Sequence, residues 1–152
     1  MKIKRIEKNK KDFLDLLLIG DEQESMIDRY LESGEMFVGY TEGKAVAVCV
    51  VARELPGEIE VKNLAVYEEF RRKGYGRAML EYVERECGAS TVWLGTGESP
   101  TTLNFYISCG YSFSHRIPDF FTNNYDNPVI DEGVILKDMV YLKKQLDTGS
   151  DY

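Results

Sequence analysis

The chain has 152 residues, 43% hydrophobic and 30% charged, which suits a globular protein large enough to bury a core without disulfide or metal staples. Its formal net charge of -7 argues against nucleic acid as the main partner, because a polyphosphate backbone asks for a basic surface. Cys49, Cys87 and Cys109 are widely spaced, with no CxxC and no Cys/His cluster, so neither a disulfide framework nor a metal site is expected and a reducing cytoplasm suits them. The basic start Met1–Ile6 lacks the apolar run of a signal peptide, and Ala45 to Ala52 is too short to span a bilayer, so no membrane association is expected.

Lys2 to Ile6 alternates charged and apolar residues, the period of a strand. Asp12 to Ile19 reads as a short helix with Phe13, Leu14, Leu16 and Leu17 inward. Asp21 to Ser33 reads as a second, with Met26, Ile27, Tyr30 and Leu31 on one face and Gly34 as its stop. Met36 to Tyr40 and Lys44 to Glu54 form a predicted hairpin around Thr41-Glu42-Gly43, and Pro56-Gly57 turns the chain into a further strand, Glu58 to Val66. Val46 to Val51 has no polar face, which calls for cover on both sides of the sheet. After the loop Tyr67 to Lys73, a helix from Gly74 to Cys87 carries the stripe Leu80, Val83 and Cys87, with Glu81 and Arg85 spaced as a favourable pair. Thr91 to Thr96 is a strand, and Pro100 to Cys109 a helix opened by proline and closed by Gly110. Tyr111 to Arg116 and Val134 to Lys143 read as two strands around a long loop. Asp147 to Tyr152 reads as a frayed tail, leaving residues 1–146 as one domain. This order predicts an α/β (α+β) fold: a mixed, largely antiparallel sheet of about six or seven strands with helices on both faces, the Glu58 to Thr96 unit being a right-handed parallel crossover.

Four basic residues fall within Arg71-Arg72-Lys73-Gly74-Tyr75-Gly76-Arg77, between a strand and a helix of an otherwise acidic chain. Glycines at a first helical turn leave backbone N–H groups open, and the helix dipole adds attraction for an anion. The residues alone support either a phosphate cradle or a solvated basic helix start. The GxxxxGK[ST] spacing of a P-loop is absent, as is the third glycine of a dinucleotide fingerprint.

Arg71 to Gly76 fits the pattern [QR]-x-x-G-x-[GA], and Phe105-Tyr106-Ile107-Ser108-Cys109-Gly110-Tyr111 fits FYxxxG[FY]. With the strand Glu60 to Val66 and the segment Tyr67 to Phe70 between, these motifs make the chain resemble the GCN5-related N-acetyltransferase (GNAT) superfamily over nearly its whole length. The resemblance implies acetyl-CoA or a close acyl-CoA as donor, an amine as acceptor, no metal, and direct attack of the neutral amine on the thioester within a ternary complex. It implies that the backbone of Leu64, Ala65 and Val66 holds the pantetheine arm where this strand splays from Thr91 to Thr96. By the same resemblance Arg71, Arg72, Lys73, Gly74, Tyr75, Gly76 and Arg77 hold the pyrophosphate, and Asn104 is a further cofactor contact, although the family's common asparagine lies earlier, where Ser99 stands. Tyr106 takes the role of the acid that protonates the departing thiolate, and Glu60 that of the base, directly or through water. Read without the family, Tyr106 is a core aromatic beside Leu103 and Ile107, and Glu60 an ordinary strand residue, paired with Lys62 or exposed. A non-catalytic acyl-CoA-binding sensor or interaction domain on the same fold is the alternative; Tyr106 speaks against it, because a pure binder needs no acid beside the thioester.

His115, the one histidine, reads as a surface or loop-packing residue, with a Cys109–His115 nucleophilic pair as the other option. In the loop Ile117 to Gly133, Phe120, Phe121 and Tyr125 stand beside Asp119, Asp126, Asp131 and Glu132. Such a loop either holds a cationic amine or packs its own aromatics onto the domain or onto the second subunit of a homodimer. Nothing in the residues identifies the acceptor amine.

Overall fold

Val46 to Val51 are each 0% exposed in the computed structural model of the chain, which describes residues 1–146. They belong to β3 (Lys44–Leu55), third in a seven-stranded sheet. The other strands are β1 (Lys2–Ile6), β2 (Glu35–Thr41), β4 (Glu58–Val66), β5 (Thr91–Thr96), β6 (Ser112–Ile117) and β9 (Met139–Gln145), in the order β1-β2-β3-β4-β5-β9-β6. Only β4 and β5 run parallel, joined by the crossover helix α3 (Tyr75–Glu86). This is the mixed, largely antiparallel sheet expected from the element order. The last strand enters between β5 and β6, so the sheet order departs from chain order there.

Helices cover the two faces unequally. On one side α3 and α4 (Pro100–Ser108) enclose a core containing Cys49, Ile59, Val61, Met79, Leu80, Val83, Val92, Leu94 and Leu142, its strand residues drawn from β3, β4, β5 and β9. On the other, α1 (Leu14–Gly20) and α2 (Glu24–Ile27) bury Leu16, Leu17, Ile27 and Leu31 against Met36, Val38, Val48, Val50 and Ala65. That second layer ends at β4. Among the described residues, the α1–α2 cluster includes none from β5, β9 or β6.

Three expectations change. The helix foreseen over Asp21 to Ser33 shrinks to Glu24–Ile27, although Met26, Ile27, Tyr30 and Leu31 are buried as the pattern required. The buried ammonium of Lys10 donates to the carbonyls of Leu31 (2.8 Å), Glu32 (3.3 Å) and Gly34 (2.8 Å), drawing them into turns. The strand foreseen from Val134 begins only at Met139. Val134–Ile135 is a separate short strand, β8, paired with β7 (Ile130–Asp131). Between them, Lys137 O accepts from Phe121 N (2.9 Å) and the Asp138 carboxylate from Asp119 N (2.9 Å), so the segment serves the helix α5 (Phe120–Asn124) rather than the sheet. Arg85 lies over the Tyr82 ring and pairs with Glu86 at 4.0 Å, not with Glu81. The tail Asp147 to Tyr152 lies outside the described residues. No helix among the described residues is long and apolar enough to cross a membrane.

Candidate active site

The site is built around a one-residue irregularity in β4. Val50 faces Asn63 and Val51 faces Val61, so Lys62 is an extra residue on this strand. A bulge reverses the alternation of side chains. Ile59 and Val61 face the α3–α4 core before it, and Leu64 and Val66 face the same core after it, while Asn63 and Ala65 point toward α1. Beyond the bulge, β4 leaves its neighbour. The parallel pairing runs from Glu58–Thr91 to Val61–Leu94 and stops, although β4 continues to Val66 and β5 to Thr96. Backbone groups of Lys62 to Val66 that would have paired with β5 are left along an open edge, as the splay between these strands required.

The end of β4 leads into the basic turn. Arg72 (φ 65°) and Gly74 (φ 83°) are both left-handed, a conformation that makes successive N–H groups converge. Gly74 is the N-cap of α3 without a side-chain cap, and the first helical bond is Ala78 N to Gly74 O, so the N–H groups of Tyr75, Gly76 and Arg77 have no intrahelical acceptor. Arg71 Nε donates to Val66 O at 3.2 Å, tying the turn to β4. Arg71, Arg72, Lys73 and Arg77 are exposed, and none forms an ion pair among the described residues. Lys44 and Lys73 both stand over the Phe70 ring, at 5.5 and 6.0 Å from its centroid. Gly76 has a packing reason as well: a Cβ there would lie 3.2 Å from Phe105 Cζ, so its absence lets α4 approach α3. The turn thus combines four exposed cationic side chains with the open N–H groups of Tyr75, Gly76 and Arg77, a chemistry that suits a polyphosphate.

Tyr106 stands on α4, its ring 5.2 Å from that of Phe105 and 6.2 Å from that of Tyr111, in the core that Leu64 and Val66 join. Ile107 is 57% exposed and does not share its face. Burial pushes the Tyr106 phenol well above its usual range, and its hydroxyl makes no hydrogen bond among the described residues. Asn104 is exposed on the same helix, also without a hydrogen bond among those residues. Ser99 is 1% exposed, and its hydroxyl donates to Asp131 at 2.5 Å.

Glu60 lies on the opposite face of the sheet from Tyr106. Its Oε2 accepts from the Tyr141 hydroxyl at 2.7 Å and lies 3.1 Å from Lys62 Nζ, the partner expected from sequence. Burial, then the hydrogen bond to Glu60, raises the Tyr141 phenol and keeps it a donor. His115 is stacked on Tyr141, with centroids 4.9 Å apart and planes 3° from parallel. Cys109 is buried in the α3–α4 core, on the other face from His115, and burial raises its thiol, so the two do not form a nucleophilic pair. The sequence reading missed Tyr141. Alternation puts it on the uncovered face, but its nearness to Glu60 depends on where β9 enters the sheet.

A second unforeseen chain of contacts walls this side. Asn63 Nδ2 donates to Leu17 O (3.0 Å) and to the Tyr30 hydroxyl (3.1 Å). Tyr30 and Tyr125 donate to the two oxygens of Asp21 at 3.0 and 2.7 Å. Phe120, Phe121 and Tyr125 pack on one another, Asp131 takes Ser99, and Asp119 lies 3.6 Å from Lys137. The aromatic loop therefore packs onto its own domain, the second of the two readings above.

The sequence matches a family described as the acetyltransferase (GNAT) domain over residues 32–113, more than half of the chain. It is 32% identical over 146 residues to the uncharacterized N-acetyltransferase YvbK of Bacillus subtilis (strain 168), covering 93% of this chain and 94% of that one. Among solved structures it is similar to a Bacillus subtilis acetyltransferase in complex with CoA, at 32% identity and a TM-score of 0.86 over 95% of this chain and 98% of that one. It is also similar to a GNAT family acetyltransferase from Elizabethkingia anophelis with acetyl-CoA bound, at 29% identity and a TM-score of 0.89 over 95% and 97% of the two chains.

Proposed function

The chain belongs to the GNAT family of acetyltransferases, and on that premise we propose that residues 1–146 are a single catalytic domain that transfers an acetyl group from acetyl-CoA to a primary amine by direct attack in a ternary complex. The observation that carries this reading is the parting of β4 from β5 beside a helix start whose N–H groups have no intrahelical acceptor. The open edge Leu64, Ala65 and Val66 suits an extended amide-bearing arm, and the turn Arg71 to Arg77 suits the pyrophosphate at its end. Asn104, exposed on α4, is a further contact for the cofactor in this reading. That two similar structures hold CoA and acetyl-CoA supports the donor. The buried, unpaired Cys49, Cys87 and Cys109 agree with a reducing cytoplasm.

The substrate thioester supplies an activated acyl carbon. The amine nitrogen bonds to that carbon, the C–S bond breaks, and the sulfur departs as thiolate. Tyr106, kept protonated by burial, gives its proton to that sulfur from the α4 side. Glu60, on the other face, takes the proton from the amine, directly or through one water. The two groups thus act from opposite sides of the split. A backbone N–H on the open edge near Leu64 to Val66 donates to the developing oxyanion.

Thiol release from acetyl-CoA, followed with and without the protein over a wide panel of amines, tests the reading. Amine-dependent release is expected. Tight acetyl-CoA binding with no release across the panel would sink it in favour of a non-catalytic acyl-CoA sensor.

A further inference from the structure

Glu60 is held from two strands away. Its own strand is β4, but the hydroxyl that fixes its carboxylate belongs to Tyr141 of β9, and β5 lies between them. A side chain crosses a strand in this way only where that strand leaves room. The residue of β5 directly opposite Tyr141 is Gly95. A Cβ at this position would lie 3.0 Å from Tyr141 Cε2, 2.4 Å from Met139 Sδ and 3.0 Å from Met139 Cγ. The φ of Gly95 is not in the left-handed region, so its backbone does not require glycine; the space above it does. From the far side the Tyr141 ring is braced by His115 of β6, its register partner, stacked at 4.9 Å. On the near side, Trp93 is fixed by its own bond from Nε1 to Glu58 Oε1 at 2.7 Å.

The two oxygens of Glu60 are unequal as a result. Oε2 takes the Tyr141 hydroxyl and faces Lys62 Nζ, whereas Oε1 accepts no hydrogen bond among the described residues. The link also sits at the right place along the sheet. Glu60 precedes Val61, the last residue of β4 to pair with β5, so the held carboxylate stands at the mouth of the split.

We propose that Tyr141 is a positioning residue for Glu60, that Gly95 is the clearance through which it acts, and that Oε1 is the oxygen left free to take the acceptor's proton. The inference rests on Glu60 being the base. It makes β9 and β6, strands far from Glu60 in the chain, part of the acceptor-side machinery. It also assigns a role to a glycine that binds nothing.

The test uses the full chain, acetyl-CoA, and whichever monoamine of a panel of alkyl and arylalkyl amines is turned over fastest. Tyr141→Phe and Gly95→Ala are each expected to lower kcat about 10- to 100-fold while the KM for acetyl-CoA stays within about twofold. Gly95→Ala should add little in the Tyr141→Phe background, and Tyr141→Phe little in the Glu60→Gln background, because all three act on one group. Wild-type kcat in Tyr141→Phe beside an inactive Glu60→Gln overturns the positioning role and leaves Glu60 as base. Wild-type kcat in Glu60→Gln overturns the base assignment and the inference with it. A measurement independent of turnover is the 13C resonance of the Glu60 side-chain carboxyl. It should move in both Tyr141→Phe and Gly95→Ala, and an unmoved resonance in folded Tyr141→Phe overturns the contact itself.

Discussion

β2 and β3, in the first half of the sheet, are buried on both faces; β5 and β9, in the second, are buried on one. The burial patterns carry the difference. β3 holds an unbroken run of six buried residues, whereas β5 and β9 alternate buried and half-buried positions. In the first half both faces serve stability. In the second, one face lies outside the α1–α2 cluster, and it carries Trp93, Tyr141, His115 and the reach to Glu60. The split between β4 and β5 is the boundary of the two halves. The proposed acid and base stand on opposite faces of that boundary, so chemistry and cover divide along the same line.

The largest expected effect tests that division at the split. Tyr106→Phe keeps the ring in the α3–α4 core and removes only the hydroxyl, which has no hydrogen-bond partner among the described residues. It is expected to lower kcat by about 10²-fold or more while acetyl-CoA affinity changes little. Steady-state kinetics alongside calorimetric titration of acetyl-CoA separates the two quantities. Equal loss of both, or of neither, would make Tyr106 a packing residue and leave the covered side of the split without an acid.

A smaller effect sharpens the contrast in stability. Leu17 is 0% exposed between α1 and the sheet, and Leu17→Ala should cost about 2–5 kcal/mol in urea denaturation. Tyr141→Phe on the uncovered face removes one hydrogen bond, and Lys62 remains beside Glu60, so about 1 kcal/mol is expected. The ranking should invert for turnover: Tyr141→Phe slows the reaction, and Leu17→Ala leaves kcat near wild type in the folded fraction. Similar stability costs would mean that the second half is as tightly built as the first.

The elements proposed to hold the donor were legible because they are local. Arg71 to Arg77 sits within one turn, between a strand and a helix that both announce themselves, and Phe105-Tyr106 lies on the next helix. The acceptor side was not. Tyr141 meets Glu60 because β9 enters between β5 and β6, a choice of strand order that no local pattern encodes. Gly95 reads in the sequence as an ordinary strand glycine until the ring above it is known. The apolar residues Val134 to Leu136 continued the strand pattern of β9, yet the backbone after them was claimed by α5, through contacts to Asp119 and Phe121. Lys10 shortened the second helix by a contact more than twenty residues away, from a position that reads as surface.

The smallest effects come from two carboxylates with opposite pH dependence, one at each border of the doubly covered half. Glu35, on β2, is partly buried, which by itself would raise its carboxyl. Hydrogen bonds from Arg53 (2.5 Å) and Arg5 (2.8 Å) outweigh burial and hold it below its usual range. The folded state then binds its proton less readily than the unfolded chain, so its contribution is present above about pH 4.5 and is lost as pH falls through the lowered folded value. Asp21 behaves in the opposite sense. Burial raises its carboxyl despite the hydroxyls of Tyr125 and Tyr30. The folded state holds that proton more tightly, so stability is fully present below about pH 4 and declines as pH rises through the raised folded value. Asp21→Asn keeps an acceptor for one tyrosine and removes the titration, so denaturation midpoints should fall less as pH rises above about 4 than in wild type. Glu35→Gln should instead flatten the loss of stability below about pH 4.5. Both changes lie away from Glu60 and Tyr106 and should leave the pH–rate profile of acetyl transfer in place. A shifted profile in Asp21→Asn would mean that the wall of Asn63, Tyr30 and Tyr125 reaches the acceptor, and that the covered half contributes to the chemistry as well as to the fold.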